Sequence, residues 1–216
     1  MKLDKNILKL YAITDRSYLN NENLAFQVEK AILGGTTIIQ VREKKMNEQD
    51  FIKEALTIKK VCDKYQIPLI INDNVNVAIK TQANGVHVGQ NDQTTSEVRN
   101  IIDDNMILGV SVNSVRQALQ AEKDGADYLG VGAIFPTSSK DDATLVSIEI
   151  LTKICQSVKI PVVAIGGITK NNIKDLNNSG IVGVALISAI FGQNDIKKSC
   201  HELIEIIDNK LLDKEI

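Results

Sequence analysis

An apolar segment in the second half of the chain reads Pro161-Val162-Val163-Ala164-Ile165-Gly166-Gly167. Aliphatic residues fill every position between the proline and the two glycines, so polar and apolar residues do not alternate. A continuous run of this kind is typical of a strand buried on both faces, as in a parallel sheet covered by helices. The segment therefore predicts an α/β protein.

Similar short runs occur along the whole chain. With this one they make eight predicted strands, at residues 8–14, 37–43, 68–73, 85–89, 107–112, 128–134, 161–167 and 183–189. Segments with helical periodicity lie between them. For example, Phe51, Ala55, Ile58 and Cys62 follow one another at helical spacing and share one helical face. The chain is therefore expected to alternate strand and helix.

Local sequence signals mark the ends of the predicted helices. Polar residues suited to cap a helix N-terminus stand at Asn47, Thr94 and Ser114. Left-handed C-caps are expected at glycines that precede the next strand, namely Gly34, Gly35, Gly85, Gly125 and Gly180. Both kinds of signal agree with the strand boundaries.

Chain length favours a closed barrel. Dividing the 216 residues by eight gives 27 per unit, a compact version of the (β/α)8 TIM barrel, which has about 250 residues. The alternative is an open Rossmann-like sheet, which would place Gly-x-Gly-x-x-Gly after the first strand. Here that position reads Thr14-Asp15-Arg16-Ser17, without glycine. We therefore predict a single TIM-barrel domain over residues 1–216, with eight parallel strands.

Overall composition excludes several classes of protein. Lys and Arg number 25 against 27 Asp and Glu, so no excess positive charge favours nucleic acid or an anionic membrane. The longest apolar stretch, residues 181–192, falls short of the roughly 20 residues of a membrane helix. No secretory signal pattern occurs, so a cytoplasmic location is expected. The three cysteines are widely spaced and predict neither a disulfide framework nor a zinc site.

Reactive groups of a TIM barrel lie at the carboxyl ends of its strands. The second predicted strand ends Gln40-Val41-Arg42-Glu43-Lys44. Because side chains alternate along a strand, Gln40, Arg42 and Lys44 share one face. Two of these three are cationic, so the face is either an anion site or a solvated, ion-paired strand end.

Two carboxylates follow the next two strands. Asp73 ends the third strand, after Asn72, and Asp92 comes shortly after the fourth. Proteins often hold Mg²⁺ with one or two carboxylates, water and substrate phosphates, so the pair is a candidate Mg²⁺ site. The alternative for Asp92 is a role at the start of the following helix.

Phosphate-binding features follow the last three strands. The loop after the sixth contains Thr137-Ser138-Ser139-Lys140, which offers hydroxyls and one cation, and residues 136–147 are a candidate lid. Gly166-Gly167 and Ile187-Ser188 end the seventh and eighth strands, where TIM barrels commonly bind phosphate. Ordinary turns are the alternative for these residues. Ser111 adds a polar group to the same rim, and His87 is expected to be a hydrogen-bonded core residue.

Six segments together resemble the thiamine-phosphate synthase family, and the resemblance spans about residues 10–191. They read Gln40-Val41-Arg42-Glu43-Lys44, Ile71-Asn72-Asp73, Gly85-Val86-His87-Val88-Gly89-Gln90, Gly132-Ala133-Ile134-Phe135-Pro136-Thr137, Ala164-Ile165-Gly166-Gly167-Ile168-Thr169 and Ser188-Ala189-Ile190. Members of that family join a hydroxymethylpyrimidine diphosphate to a thiazole phosphate with Mg²⁺, releasing pyrophosphate. The resemblance implies these two small phosphorylated molecules as partners, no nucleic acid or membrane, and leaves a homo-oligomer open.

The resemblance also implies roles for individual residues. Asp73 and Asp92 would bind Mg²⁺, and the catalytic residues would be Arg42, Lys44, Ser111 and Lys140. Substrate binding would involve Gln40, Val41, Arg42, Glu43, Lys44, Asn72, Ser111, Thr137, Ser138, Ser139, Lys140, Gly167, Ile187 and Ser188. Within that set, Gln40 and Ser111 would lie near the pyrimidine.

Some positions depart from the family pattern, and two other functions compete. Many relatives carry Arg at the position of Asn74, Thr at Ser139 and Gly at Ser147. A sister family, the thiazole tautomerases, shares the barrel but would place a catalytic histidine near Asn113. A non-catalytic sensor of thiamine phosphate is the other alternative, although no additional interaction module is visible in the sequence.

Overall fold

The computed structural model describes residues 3–19, 22–137 and 144–210. Within them, eight parallel strands form a closed barrel in which each strand pairs with the next and the eighth with the first. The strands are β1 (Leu10–Ile13), β2 (Ile38–Val41), β3 (Leu69–Asn72), β4 (Gly85–Val88), β5 (Ile107–Val112), β6 (Tyr128–Val131), β7 (Val162–Ile165) and β8 (Gly183–Leu186). The predicted TIM barrel is confirmed, and each predicted strand contains an observed one.

Helices cover the outside of the barrel. They are α1 (Leu24–Leu33), α2 (Glu48–Tyr65), α3 (Val75–Thr81), α4 (Thr95–Ile101), α5 (Val115–Lys123), α6 (Ile148–Ser157), α7 (Ser188–Phe191) and α8 (Ile196–Lys210). Short 3-10 helices occupy Lys5–Leu8, Arg16–Tyr18 and Ile173–Leu176. Among the described residues, no helix combines the length and the apolar composition needed to cross a bilayer.

The connection between β7 and β8 departs from the predicted alternation. It contains the 3-10 helix Ile173–Leu176 where an α-helix was expected. Asparagine side chains take part in the local backbone hydrogen bonding, since Asn172 Oδ1 accepts from Thr169 N at 2.7 Å and Asn177 Oδ1 from Asn178 N at 3.0 Å. Such side-chain bonds compete with those of an α-helix, which explains the shorter element.

The predicted N-caps are confirmed. The side chain of Asn47 accepts from Asp50 N at the start of α2, and that of Ser114 accepts from Gln117 N at the start of α5. Thr94 and Glu97 form a reciprocal capping box on α4. Because these bonds satisfy backbone N–H groups that a helix leaves unpaired, they define where each helix begins.

Two of the predicted left-handed C-caps are wrong. Gly34 ends α1 with a φ of −87°, which is right-handed. Gly35, Gly125 and Gly180 have positive φ angles as expected, but Gly85 is the first residue of β4. Gln82 provides the left-handed residue that ends α3. Gly85 is needed for close packing instead, because a Cβ there would lie 2.4 Å from the carbonyl oxygen of Ile107.

The strands are buried on both faces. Their outward side chains pack against the helices, while an inner cluster fills the barrel with Leu8, Tyr11, Ile13, Ile38, Ile70, Tyr128, Val163, Ala185 and Ile187. Each large aliphatic side chain buried in this way contributes about 1.5–3 kcal/mol of transfer free energy. The filled interior makes the barrel a rigid base for the loops at the carboxyl ends of its strands.

Candidate active site

A cavity of about 620 Å³ opens at the carboxyl ends of the strands. Ten of the residues predicted from the sequence to bind substrate or metal line it: Arg42, Lys44, Asn72, Asp73, Asp92, Ser111, Thr137, Gly167, Ile187 and Ser188. A smaller space of about 20 Å³ lies deeper between the strands, and Gln40 lines it together with Ser111 and His87. The fold therefore brings together residues that are far apart along the chain.

Other predicted site residues lie elsewhere. Val41 belongs to the core between strands and helices, and the Glu43 carboxylate accepts a hydrogen bond from Arg16 Nε at 2.8 Å. Burial raises the pKa of Glu43, although the charge of Arg16 opposes the rise. Neither residue lines the cavity, because side chains alternate along β2 and its continuation. Ser138, Ser139 and Lys140 lie outside the described residues, as does half of the predicted lid at residues 136–147.

Arg42 and Lys44 form the cationic side of the cavity. The backbone N–H of Arg42 donates to Thr14 Oγ1 at 3.1 Å, which ties the residue to the end of β1. Its Nε is buried and has no hydrogen-bond partner among the described residues. Because guanidinium N–H groups match the oxygens of phosphates, this side chain is well suited to an anionic ligand.

The two predicted metal-binding carboxylates lie beside each other. Asp73 follows β3 in a left-handed backbone conformation, with φ of 63°, and its N–H donates to the carbonyl oxygen of His87 at 2.8 Å. Asp92 Oδ2 accepts from Gly89 N at 2.7 Å. Burial, and then the nearby Asp73, raise the pKa of Asp92, while the Gly89 N–H and Lys44 oppose the rise.

This pair fits a hard divalent cation. Adjacent carboxylates repel each other, and a cation between them would relieve that repulsion. No cluster of three or more Asp, Glu, His or Cys suited to a metal occurs among the described residues. Two carboxylates completed by phosphate oxygens and water remain a normal arrangement for Mg²⁺. The alternative role of Asp92 as a helix cap is not observed, since Thr94 caps α4.

Glycines shape the opposite side of the cavity. Gly166 and Gly167 follow β7 with φ angles of 97° and 63°. A Cβ on Gly167 would lie 2.4 Å from the carbonyl oxygen of Pro136, so the loop after β6 packs directly on this turn. Ser188 lines the cavity at the first position of α7. The exposed backbone and hydroxyl groups suit a second phosphate.

Two positions that depart from the family pattern serve as helix caps. Asn74 Oδ1 accepts from Val77 N at 2.9 Å at the start of α3. Ser147 Oγ accepts from Ile150 N at 3.2 Å at the start of α6. Each side chain therefore has a local structural role next to the cavity, and neither lines it.

Part of the site was not predicted from the sequence. His87 is buried and hydrogen-bonded, as expected, but its Nε2 contacts Ser111 Oγ at 2.8 Å and the ring borders the cavity. Its Nδ1 contacts the hydroxyl of Tyr128, which in turn contacts Tyr11. Burial raises the pKa of both tyrosines. The available signal was the alternation of β1 and β6, which turns both tyrosines toward the barrel interior.

Comparisons with known proteins agree with this geometry. A family model described as thiamine monophosphate synthase matches residues 10–190. A thiamine-phosphate synthase of Clostridium tetani is 53% identical over 90% of this chain and 93% of its own length. Its counterpart in Ruminiclostridium cellulolyticum is 51% identical over 93% and 96%. The solved thiamine phosphate pyrophosphorylase of Pyrococcus furiosus has a TM-score of 0.89 and 40% identity, covering 96% of this chain and 99% of that one.

Proposed function

This chain belongs to the thiamine monophosphate synthase family, and from that premise we propose how its cavity forms thiamine phosphate. The enzyme is a transferase that joins 4-amino-2-methyl-5-(diphosphooxymethyl)pyrimidine to 4-methyl-5-(2-phosphoethyl)thiazole. Pyrophosphate is the second product. The observation that carries the proposal is one cavity lined by cations and paired carboxylates on one side and by a glycine turn on the other.

The two phosphorylated groups would bind at opposite sides of the cavity. Arg42, Lys44 and Asn72 would hold the diphosphate, together with Lys140. The phosphate of the thiazole would contact the turn at Gly167 and the residues Ile187 and Ser188, together with Thr137, Ser138 and Ser139. This assignment matches the position of the glycine turn and that of Arg42 Nε, which has no hydrogen-bond partner in the described part of the chain. Val41 and Glu43 are left out of it because they do not line the cavity.

Mg²⁺ would be held by Asp73 and Asp92. When bound there, the ion would supply positive charge to the diphosphate oxygens and favour departure of pyrophosphate. The proposal rests on two neighbouring carboxylates at the mouth of a cavity that already contains Arg42 and Lys44. The carboxylates also explain why this site would prefer a hard cation to a soft one.

The reaction needs charge stabilisation more than proton transfer. The C–O bond to the diphosphate breaks first, and pyrophosphate leaves with the electron pair. The carbocation that remains is stabilised by the pyrimidine ring, and the lone pair of the thiazole nitrogen traps it to form the new C–N bond. Arg42 and Lys44 stabilise the negative charge that develops on the leaving group. One charge pair at about 4 Å is worth on the order of 4 kcal/mol at an effective dielectric of 20. The thiazole nitrogen carries no proton, so no general base is required.

The two alternative functions predict different products. At the position near which the tautomerases would place a catalytic histidine, this chain has Asn113, and that residue lines the cavity. A side-chain amide does not titrate near neutral pH and cannot replace histidine as a general acid or base, which argues against isomerisation of the thiazole. A non-catalytic sensor would bind thiamine phosphate without turnover.

The deciding experiment mixes purified protein with both substrates and Mg²⁺ and measures pyrophosphate release. A synthase releases pyrophosphate only when both substrates are present. Isomerised thiazole phosphate without pyrophosphate would identify a tautomerase. Saturable binding of thiamine phosphate without any turnover would identify a sensor.

A further inference from the structure

Five hydrogen-bonded side chains cross the interior of the barrel beneath the cavity. In order they are Gln40, Tyr11, Tyr128, His87 and Ser111, and the successive contacts measure 2.7, 2.8, 2.9 and 2.8 Å. The five residues come from five different strands, so the chain runs across the barrel and not along the sheet. We refer to these residues as the interior chain.

Two inward-facing glycines provide the space that the interior chain occupies. A Cβ on Gly109 would lie 2.2 Å from Tyr128 Cζ and 2.4 Å from His87 Nδ1. A Cβ on Gly130 would lie 3.2 Å from His87 Cε1. A side chain at Gly109 is incompatible with the present arrangement of His87 and Tyr128, and one at Gly130 would require His87 to move by a few tenths of an ångström. The two glycines therefore leave room for the polar interior chain inside an otherwise apolar barrel core.

The direction of the interior chain follows from its first bond. The amide nitrogen of Gln40 donates to the hydroxyl oxygen of Tyr11. Tyr11 is 1% exposed, so its own O–H needs a protein acceptor. The other polar contact found for Tyr11 among the described residues is the hydroxyl oxygen of Tyr128. Tyr11 therefore donates to Tyr128.

The two hydrogen bonds of the His87 ring determine its tautomer. Tyr128 is fully buried and accepts from Tyr11, so its O–H donates to His87 Nδ1. A neutral imidazole with an accepting Nδ1 carries its proton on Nε2, and that N–H donates to Ser111 Oγ. The hydroxyl oxygen of Ser111 therefore accepts the last hydrogen bond of the interior chain. Its own proton is then available to a group other than His87, and Ser111 lines the cavity.

We infer that Tyr11, Tyr128 and His87 are positioning residues that fix which hydrogen-bonding groups the deep end of the cavity presents. At one end of the interior chain, the side-chain nitrogen of Gln40 donates to Tyr11, so the side-chain carbonyl oxygen of Gln40 is left to accept a hydrogen bond from a ligand. At the other end, Ser111 presents a donor. Both residues border the small inner space.

This polarity matches an aminopyrimidine. Its exocyclic amino group donates to an acceptor, and the neighbouring ring nitrogen accepts from a donor. A pyrimidine with oxygen in place of the amino group presents the opposite pattern, and a buried mismatch of donors or acceptors is strongly unfavourable. The identity of the ligand rests on the proposed function. The inference adds residues that would select the aminopyrimidine over a pyrimidine with oxygen in place of the amino group.

The direct test determines the tautomer of His87. The chain has two histidines, and His201 is exposed on α8, so the His201→Gln variant labelled with ¹⁵N-histidine contains a single imidazole signal set. We expect the ligand-free protein to show a neutral ring with the proton on Nε2. A proton on Nδ1, or a doubly protonated ring, would overturn the inference. This measurement uses no substrate, so it stands even if the enzyme has a different activity.

The kinetic test compares two tyrosine-to-phenylalanine variants. Tyr128→Phe breaks the interior chain, whereas Tyr65→Phe removes a hydroxyl that donates to Glu29 away from the cavity. For Tyr128→Phe we expect the KM for the pyrimidine diphosphate to rise roughly 10-fold and the KM for the thiazole phosphate to stay within about twofold. Preference for the 4-amino over the 4-hydroxy pyrimidine should fall as well. Tyr65→Phe should change none of these values.

Other outcomes of the kinetic test argue against positioning. Equal changes in both KM values, or an unchanged preference for the amino form, would indicate a merely structural role. If Tyr128→Phe does not fold, Tyr11→Phe replaces it, because it also interrupts the interior chain. The same measurements apply to it, namely the two KM values and the preference for the 4-amino pyrimidine. Wild-type pyrophosphate release, measured first, separates failure of the proposed function from failure of this inference.

Discussion

Lys44 Nζ lies 2.5 Å from Asp73 Oδ2, although the two residues follow different strands of the barrel. Their side chains are 51% and 27% exposed, so solvent weakens the attraction and the pair contributes little to stability. The contact instead holds a cation beside the proposed metal-binding carboxylates. We expect Lys44 to exchange this partner for the diphosphate when substrate binds.

Lys44 should be required for turnover and not for stability. Lys44→Ala should lower pyrophosphate release at least about 10-fold because a charge that stabilises the leaving group is lost. The free energy of unfolding should change by less than about 1 kcal/mol, since the ion pair is exposed. Lys80→Ala is the matched control, because it breaks an exposed ion pair with Glu48 outside the cavity. Equal activity of the two variants would remove Lys44 from the proposal.

Arg42 should be more sensitive than Lys44. Arg42→Ala removes both a charge and a buried guanidinium N–H, and we expect turnover to fall about 10²-fold or more. Arg42→Lys keeps the charge but not the planar donors, so it should recover only part of the rate. Steady-state pyrophosphate release measures both. The control Arg116→Ala lies on the exposed side of α5 and should behave as wild type.

Removal of metal should abolish turnover while leaving the fold intact. Within the described part of the chain, the proposed ligands are two carboxylates at the cavity mouth, and the barrel core is formed without them. A chelator should therefore stop pyrophosphate release, and added Mg²⁺ should restore it. Thermal unfolding should stay unchanged in the absence of substrate. Full activity in excess chelator would show that the carboxylate pair has another role.

Gly109 should be required for stability. Gly109→Ala places a methyl group against Tyr128 and His87, and crowding of this kind costs about 1–3 kcal/mol. For a chain of this size, thermal unfolding should shift down by roughly 2–10 °C. Combining it with Tyr128→Ala, which removes the clashing ring, should cost less than the sum of the two single changes. Simple additivity would mean that the two residues do not compete for space.

Much of this architecture was predictable because it depends on local patterns. Continuous apolar runs such as residues 161–167 identify buried parallel strands, and Asn47, Thr94 and Ser114 mark helix starts through short-range bonds. The period of two along β2 also placed Arg42 and Lys44 on the cavity side. All five residues from Gln40 to Lys44 were predicted to bind substrate, although the same period of two turns the Val41 side chain away from the cavity.

The remaining features depend on contacts between distant segments. The interior chain requires Tyr11 of β1 and Tyr128 of β6 to meet across the barrel. The alternation along each strand indicates that both side chains face the interior, but it does not indicate that they meet. Gly85 was interpreted as a helix cap, but its role comes from close approach to Ile107 on the neighbouring strand. The 3-10 connection before β8 reflects asparagine side chains that compete with helical backbone bonds.

We propose that Asp73 and Asp92 act together on one Mg²⁺-bound leaving group. The most direct measurement is pyrophosphate release by wild type, Asp73→Asn, Asp92→Asn and the double variant across a range of Mg²⁺ concentrations. We predict that each single change raises the Mg²⁺ requirement and lowers the rate, and that the double change is far less harmful than the product of the two. Independent, multiplicative effects, or near-wild-type rates in either single variant, would contradict the claim.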